Sequence, residues 1–323
     1  MHTKERFPNV IFAGCLHLQN AAPVIMLTLV VLVFITLTAQ PVPAQTCNQQ
    51  PPRVVIDWAQ FHFNPCHTGF NPYEFVLSRT TVVNLRPHWL YTTGSYVFSS
   101  PAVANGVVYF GSDDGNLYAL DANTGAFRWK YTTGNIVSDS PAVVNGVVYF
   151  GSWDHNVYAL NARTGALLWK YTTGYQVFSS PAVANGVVYV GSEDNNLYAL
   201  NANTGAFLWK YPTGNWVYSS PTVANGVVYV GSSDFNLYAL NASTGALLWN
   251  YTTGGGYVRS SAVVANGVVY VGSGDNNLYA LGASTGALLW KYTTGGAVES
   301  SPVVANGVVY VGSKDNNVYA FGL

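Results

Sequence analysis

Three sets of residues in this chain have types that could do chemistry. His62, Cys66 and His67 offer two imidazoles and a thiol within one short stretch, the donors that a zinc-like ion takes. No fourth ligand follows at a recognised spacing, and Cys66 has a competing partner in Cys47, so no metal is expected there. The second set is Asp114, Asp154, Asp194, Asp234, Asp275 and Asp315, which recur at fixed intervals. A catalytic carboxylate needs to occur only once, whereas Asp at a turn bonds nearby backbone N–H groups, so this set reads as structural. No unique Ser, His and Asp group at a readable spacing suggests a nucleophile, and no Cys-x-x-Cys-His motif supports covalent haem. The chain is therefore expected to carry no catalytic residue and no cofactor. The third set is bulky: Tyr96, Phe98, Trp153, His155, Phe178, Trp216, Tyr218, Phe235 and Tyr257, with Arg259 and Glu299. Large flat side chains with polar edges suit contact with a protein, a peptide or a glycan.

What must position these residues is a repeat. Tyr91, Tyr131, Tyr171, Tyr211, Tyr251 and Tyr292 open near-identical copies, forty residues apart with one insertion in the fifth copy, at Gly254 to Gly256. A fixed period of that size means stacked supersecondary units. Each copy holds four short apolar runs separated by turn signals. Asn105-Gly106 and its counterparts Asn145-Gly146, Asn185-Gly186, Asn225-Gly226, Asn266-Gly267 and Asn306-Gly307 supply a two-residue hairpin turn that needs positive φ at both positions. Runs such as Val107 to Phe110 are apolar throughout, which suits strands covered on both faces. Two-helix repeats would need helical spacing of apolar residues, and a β-helix shorter coils without hairpins. The expectation is an all-β fold, a six-bladed β-propeller of four-stranded antiparallel blades. The sixth copy ends at Leu323 without a fourth strand, while Asn84 to Gly94 aligns with the fourth-strand pattern and puts Trp89 where Trp129, Trp169, Trp209, Trp249 and Trp290 stand. An N-terminal strand is thus expected to complete the last blade and close the ring.

Comparing the copies with one another locates the bulky set. The Asn-Gly turn is invariant, and variation falls at the link into each copy (Tyr96/Phe98, Ile136/Ser138, Gln176/Phe178, Trp216/Tyr218, Tyr257/Arg259, Ala297/Glu299) and at the turn between the second and third runs. That turn runs Asp113/Gly115, Trp153/His155, Glu193/Asn195, Ser233/Phe235, Gly274/Asn276 and Lys314/Asn316. In an up-and-down blade both segments emerge on one side, so the variable positions share a face, and loops on a rigid scaffold are where binding resides. Drift would more readily leave small polar residues than tryptophan there.

The pattern Gly-Ser-x-Asp-x-Asn, then Leu/Val-Tyr-Ala-Leu/Phe, then Thr-Gly-Ala-x-x-Trp, as at Gly191 to Trp209, resembles the bacterial quinoprotein-type (PQQ-like) β-propeller repeat. The resemblance covers Asn84 to Leu323 and implies that the repeat tryptophan docks against the neighbouring blade. It also implies a choice of function. PQQ-dependent dehydrogenases of this kind have eight blades, an adjacent cysteine pair and a catalytic Asp beside calcium; this chain has no Cys-Cys and fewer repeats. Relatives without the cofactor, such as the outer-membrane assembly lipoprotein, are scaffolds. The expected function is a non-catalytic binding or scaffold protein, with a PQQ- and calcium-dependent oxidoreductase as the alternative.

Only 8% of the 323 residues are charged and the formal net charge is −1, so no nucleic acid partner is expected. Residues 1–44 read as a signal peptide or signal anchor: Lys4 and Arg6 precede the apolar run Val24 to Ala39, and Val42-Pro43-Ala44 offers a cleavage site. The protein is then secreted, periplasmic or at the cell surface, touching a membrane only through that leader. Residues 45–83 form an irregular lead-in, too aromatic for a free linker, in which Cys47 and Cys66 could pair in an oxidising compartment. Residues 84–323 form the propeller.

Overall fold

The computed structural model describes residues 59–62, 64–65, 67 and 84–323. The leader and the Cys47–Cys66 pairing lie outside the described residues. Among those residues, no helix is long and apolar enough to cross a membrane.

Each copy folds as one antiparallel sheet in simple meander order. Blade 1 comprises β1 (Ala102–Ala104), β2 (Val107–Ser112), β3 (Asn116–Asp121) and β4 (Phe127–Thr132). Blade 2 comprises β5 (Ala142–Val144), β6 (Val147–Gly151), β7 (Asn156–Asn161) and β8 (Leu167–Thr172). Blade 3 follows with β9 (Ala182–Ala184), β10 (Val187–Gly191), β11 (Asn196–Asn201) and β12 (Phe207–Pro212). Blade 4 has β13 (Thr222–Ala224), β14 (Val227–Gly231), β15 (Asn236–Asn241) and β16 (Leu247–Thr252), and blade 5 has β17 (Val263–Ala265), β18 (Val268–Gly272), β19 (Asn277–Gly282) and β20 (Leu288–Thr293). Blade 6 has three strands, β21 (Val303–Ala305), β22 (Val308–Gly312) and β23 (Val318–Phe321). The Asn-Gly turns behave as their composition requires: Asn105 and Gly106 sit at φ 50° and 72°, and the other copies match.

The first strands of consecutive blades approach one another, β1 to β5 and onward to β21, so they gather around the axis. The middle strands are covered on both faces; β3 and β7 bury five of their six residues. Adjacent blades share one core, in which Tyr109, Leu117 and Trp129 of blade 1 pack with Val148, Phe150 and Leu160 of blade 2. The expected docking of the repeat tryptophan is present. Trp129 donates its indole N–H to the Ala162 carbonyl at 3.0 Å, and its ring covers Gly165, where a Cβ would come within 2.7 Å of Cδ2. Gly165 also sits at φ 71°, so two separate constraints exclude a side chain there.

The six aspartates are interblade staples, a larger role than a local turn. Asp194 Oδ2 accepts from the Gly174 N–H, which follows the last strand of the preceding blade, at 2.6 Å and from the Tyr198 hydroxyl at 2.5 Å, and its Oδ1 accepts from the Asn196 N–H at 3.0 Å. At Asp275, burial pushes the carboxyl upward, but hydrogen bonds from Tyr279, Asn277 and Gly254 outweigh it and hold the group below its ordinary value.

The described part of the lead-in packs on the propeller. It lies along the axis-facing edges of blades 2, 3 and 4: Val143 N–H donates to the Ala59 carbonyl at 2.6 Å, Val183 N–H to Gln60 Oε1 at 3.0 Å, and Val223 N–H to the Pro65 carbonyl at 2.8 Å. These bonds satisfy edge donors that would otherwise stand open in the channel. His67 is fully enclosed, with Nδ1 2.9 Å from Thr222 Oγ1. The Thr222 hydroxyl donates to the Ala262 carbonyl at 2.6 Å, so His67 donates through Nδ1–H.

At the N-terminal side of blade 1, Trp89 and Gly94 repeat the contacts of a fourth strand. Trp89 Nε1 donates to the Ala122 carbonyl at 3.0 Å, and Gly94 N–H donates to Asp114 Oδ2 at 2.8 Å. Among the described residues, β23 pairs with β22, and no ladder joins β23 to residues 85–94. Val318, whose counterparts Leu117, Val157, Leu197, Leu237 and Leu278 are fully buried in the four-stranded blades, is 80% exposed.

Candidate functional site

The two variable segments of each copy are hydrogen-bonded to one another, which puts them on one face. Trp153 N–H donates to the Ile136 carbonyl at 3.0 Å, Ser233 N–H to the Trp216 carbonyl at 2.9 Å, and Lys314 N–H to the Ala297 carbonyl at 2.9 Å. Between paired positions a valine points inward; Val137, Val217, Val258 and Val298 are fully buried and fix the link against its blade. The alternating residues Ser138, Phe178, Tyr218, Arg259 and Glu299 precede the first strand of each blade, so they surround one end of the axis.

Side chains from different blades meet there in a continuous strip. Trp153 and Phe178 have ring centroids 4.3 Å apart, Phe178 and Tyr218 5.2 Å, and Trp216 and Tyr218 5.7 Å. The Arg259 guanidinium lies 4.7 Å from the centroid of Tyr218 and 4.4 Å from that of Tyr257. Polar bonds hold the rings in place. Trp153 Nε1 donates to Ser138 Oγ at 3.1 Å, and the Tyr218 hydroxyl donates to Glu193 Oε1 at 2.5 Å. Lys314 pairs with Glu299 Oε2 at 2.7 Å, and the same carboxylate is the main influence that raises the Tyr257 hydroxyl above its ordinary value. Burial, with the bond to Glu193 next, pushes the Tyr218 hydroxyl up to about 12, so it stays protonated.

Seven of the expected residues therefore form one connected group, Trp153, Phe178, Trp216, Tyr218, Tyr257, Arg259 and Glu299, with Ser138 as a polar support. The remaining positions lie on the face but outside that chain of contacts. Tyr96 and Phe98 pack on each other with centroids 5.9 Å apart and are 74% and 72% exposed. His155 stacks on Tyr175 at 5.2 Å, and Phe235 stands 42% exposed. Tyr175, Glu193 and Lys314 were missing from the expected site. Tyr175 had a signal, since the other copies carry Ser95, Asn135, Asn215, Gly256 and Gly296 there. Glu193 and Lys314 stand in the variable turn but gain their roles only through contacts with Tyr218 and Glu299.

Backbone conformation adds a second mark. The second variable turn position is left-handed in every copy, and Gly115, Asn195, Asn276 and Asn316 suit it. His155 and Phe235 occupy the same conformation at φ 72° and 76°. A bulky residue there is strained, and such strain gathers at functional sites.

The donor set on this face does not suit a calcium–quinone centre. Among the described residues, no group of three His, Cys, Asp or Glu could hold a metal ion. Glu193 and Glu299 are each engaged by tyrosine or lysine.

Comparison with known proteins agrees with this architecture. No curated protein sequence matches the chain. Among solved structures, BamB from Moraxella catarrhalis is 22% identical with a TM-score of 0.51, over 73% of this chain and 86% of that one. A quinohemoprotein alcohol dehydrogenase from Pseudomonas putida HK5 is 19% identical with a TM-score of 0.71, over 80% of this chain and 57% of its own. The computationally designed Ika8 protein is 19% identical with a TM-score of 0.64, over 70% of both chains. These likenesses show the fold, shared by assembly factor and dehydrogenase alike. The family model described as outer membrane protein assembly factor BamB matches residues 88–180, 154–263 and 253–322, and with the blades, the docked tryptophans and the stapling aspartates in place, the chain belongs to that PQQ-like propeller family.

Proposed function

We propose that this protein is an exported, non-catalytic scaffold that holds a protein partner against the aromatic face. The observation that carries this reading is the strip from Trp153 through Phe178 and Tyr218 to Arg259, built from four different blades at positions where the copies otherwise vary. Aromatic and arginine side chains held rigid by their neighbours are what dominates protein–protein binding energy. The family's description as an outer-membrane assembly factor supports a protein partner and a location outside the cytoplasm. The engaged carboxylates of the face weigh against the quinone-dependent alternative, and no reaction step is assigned to it.

The test is paired capture from cell envelopes with the wild-type protein and the Trp153→Ala/Trp216→Ala variant. A partner retained by the wild type and lost by the variant, at nearly unchanged melting temperature, is the expected outcome. Equal capture by both proteins overturns the reading. Saturable stabilisation by PQQ with calcium would replace it with the oxidoreductase.

A further inference from the structure

The aromatic strip contains one cation whose bonding capacity is unspent. Arg259 is exposed, and among the described residues its guanidinium makes no hydrogen bond and no ion pair. Two rings hold it in place. Tyr218 at 4.7 Å and Tyr257 at 4.4 Å fix the plane by cation–π contact, leaving the N–H edge free. Tyr218 is itself tied down by its bond to Glu193 at 2.5 Å. The flanking acids are turned to other partners: Glu193 accepts from Tyr218, and Glu299 pairs through Oε2 with Lys314, its Oε1 being buried without a hydrogen bond. Neither carboxylate bonds Arg259.

Arginine also stands here against the pattern of the repeat. The equivalent positions carry Phe98, Ser138, Phe178, Tyr218 and Glu299, so no architectural need asks for a cation. A guanidinium held rigid between rings is pre-organised for a planar, two-pronged acceptor, and loses little entropy on binding one. The carboxylate is that acceptor in polypeptides. Directly beside it, Phe178 and the 43% exposed Trp216 present an apolar surface against Tyr218.

We propose that Arg259 is the anion subsite of this face and takes a carboxylate of an extended partner segment, an acidic side chain or a chain-terminal carboxylate, while the neighbouring aromatic side chain of that segment packs on Phe178 and Trp216. This inference rests on the aromatic face being the contact surface. It adds the chemistry of what is contacted, because an apolar patch alone would not select an acidic segment, and the arginine alone would not select an aromatic neighbour.

Four fluorescein-labelled peptides test it: Gly-Gly-Phe-Glu-Gly amide, its Gln analogue, Gly-Gly-Phe with a free C-terminal carboxylate, and the amide of that peptide. Binding is followed by fluorescence polarisation to the full chain and to Arg259→Gln, Arg259→Lys and Trp216→Ala, with melting temperatures checked. The expected result is that at least one carboxylate peptide binds about tenfold or more tighter than its neutral partner, and that Arg259→Gln removes the difference. Arg259→Lys recovers only part of it, since lysine lacks the fork. Which pair discriminates tells a side-chain acid from a chain terminus. Equal binding within each pair, still lost in Trp216→Ala, overturns the anion subsite and leaves the aromatic face standing. No binding of any peptide by the wild type overturns both. Displacement of the bound peptide by PQQ at equal or tighter affinity, with the same dependence on Arg259, assigns the subsite to a quinone acid and overturns the peptide reading.

Discussion

The Trp89 indole N–H meets the Ala122 carbonyl at 3.0 Å, the same bond that Trp129 makes to Ala162 in the next blade. A residue ahead of the first blade thus docks as if it ended a preceding one. Within a blade the register sets Ala119 opposite Trp129 and Tyr118 opposite Lys130. Transferred to blade 6, it sets Ala320 opposite Trp89 and Tyr319 opposite Leu90. A Leu90→Cys/Tyr319→Cys protein is expected to form an intrachain disulfide in the monomer, mapped by peptide mass spectrometry. A cross-link found only between chains would show instead that the open edge of β23 pairs with a second copy. Trp89→Ala is expected to cost about 2 kcal/mol in denaturant unfolding, less than a fully buried tryptophan would, because its ring is only partly buried.

The stapling aspartates predict equal effects at equal positions. Asp194→Ala leaves the Gly174 N–H, the Tyr198 hydroxyl and the Asn196 N–H without an acceptor, at an expected cost of about 3 kcal/mol. Asp154→Ala should match it within about 1 kcal/mol, since Gly134, Tyr158 and Asn156 make the same bonds. A much larger loss at one copy would contradict a shared structural role.

Phe235 sets stability against binding. Its left-handed backbone at φ 76° suits asparagine, which three other copies carry there. Phe235→Asn is expected to raise stability by about 1 kcal/mol and to weaken partner capture. A stability loss would show that the exposed ring packs favourably enough to offset its strain.

Asp139 stands where the other copies have Ser99, Ser179, Ser219, Ser260 and Ser300. The Ser219 hydroxyl accepts from the Gly231 N–H at 2.7 Å and donates back to its carbonyl at 3.1 Å. Asp139 accepts from the Gly151 N–H at 2.6 Å, but its Oδ1 is buried without a partner. Burial pushes this carboxyl well above its ordinary value of 3.8. The folded protein therefore keeps a proton that the unfolded chain gives up, so this contribution is full below that value and is lost as pH rises. Asp139→Ser is expected to gain about 1–3 kcal/mol at neutral pH and to flatten that decline, measured by urea unfolding across pH.

His67 has the opposite sign. Burial, followed by repulsion from His62, pushes its imidazole from 6.5 down to about 3. The unfolded chain takes up a proton that the enclosed ring refuses, so its stabilisation is full above 6.5 and fades as pH falls toward 3. The amides of Val143, Val183 and Val223, which donate to the lead-in, are expected to lose exchange protection across that window, after correction for intrinsic rates. His67→Gln should remove the pH dependence. Protection that stays flat in the native protein would place the lead-in's hold elsewhere.

Much of this molecule was legible in the sequence because its determinants are local and repeated. Asn-Gly at φ 50° and 72° is a property of two adjacent residues, and six copies of it fix six hairpins. The shared face of Trp153 and Trp216 followed from strand parity alone. Contacts between copies were not legible, because they depend on how far one blade turns relative to the next. That turn decides that Arg259 meets Tyr218 across a blade boundary, that Glu193 receives the Tyr218 hydroxyl, and that Asp194 reaches the glycine after the preceding blade's last strand. The sequence by itself determined the strands, their turns and the side on which variation is displayed. Only the tertiary structure decided which of those residues touch, since interblade packing sets distances of a few ångströms between positions 20, 25 and 41 residues apart.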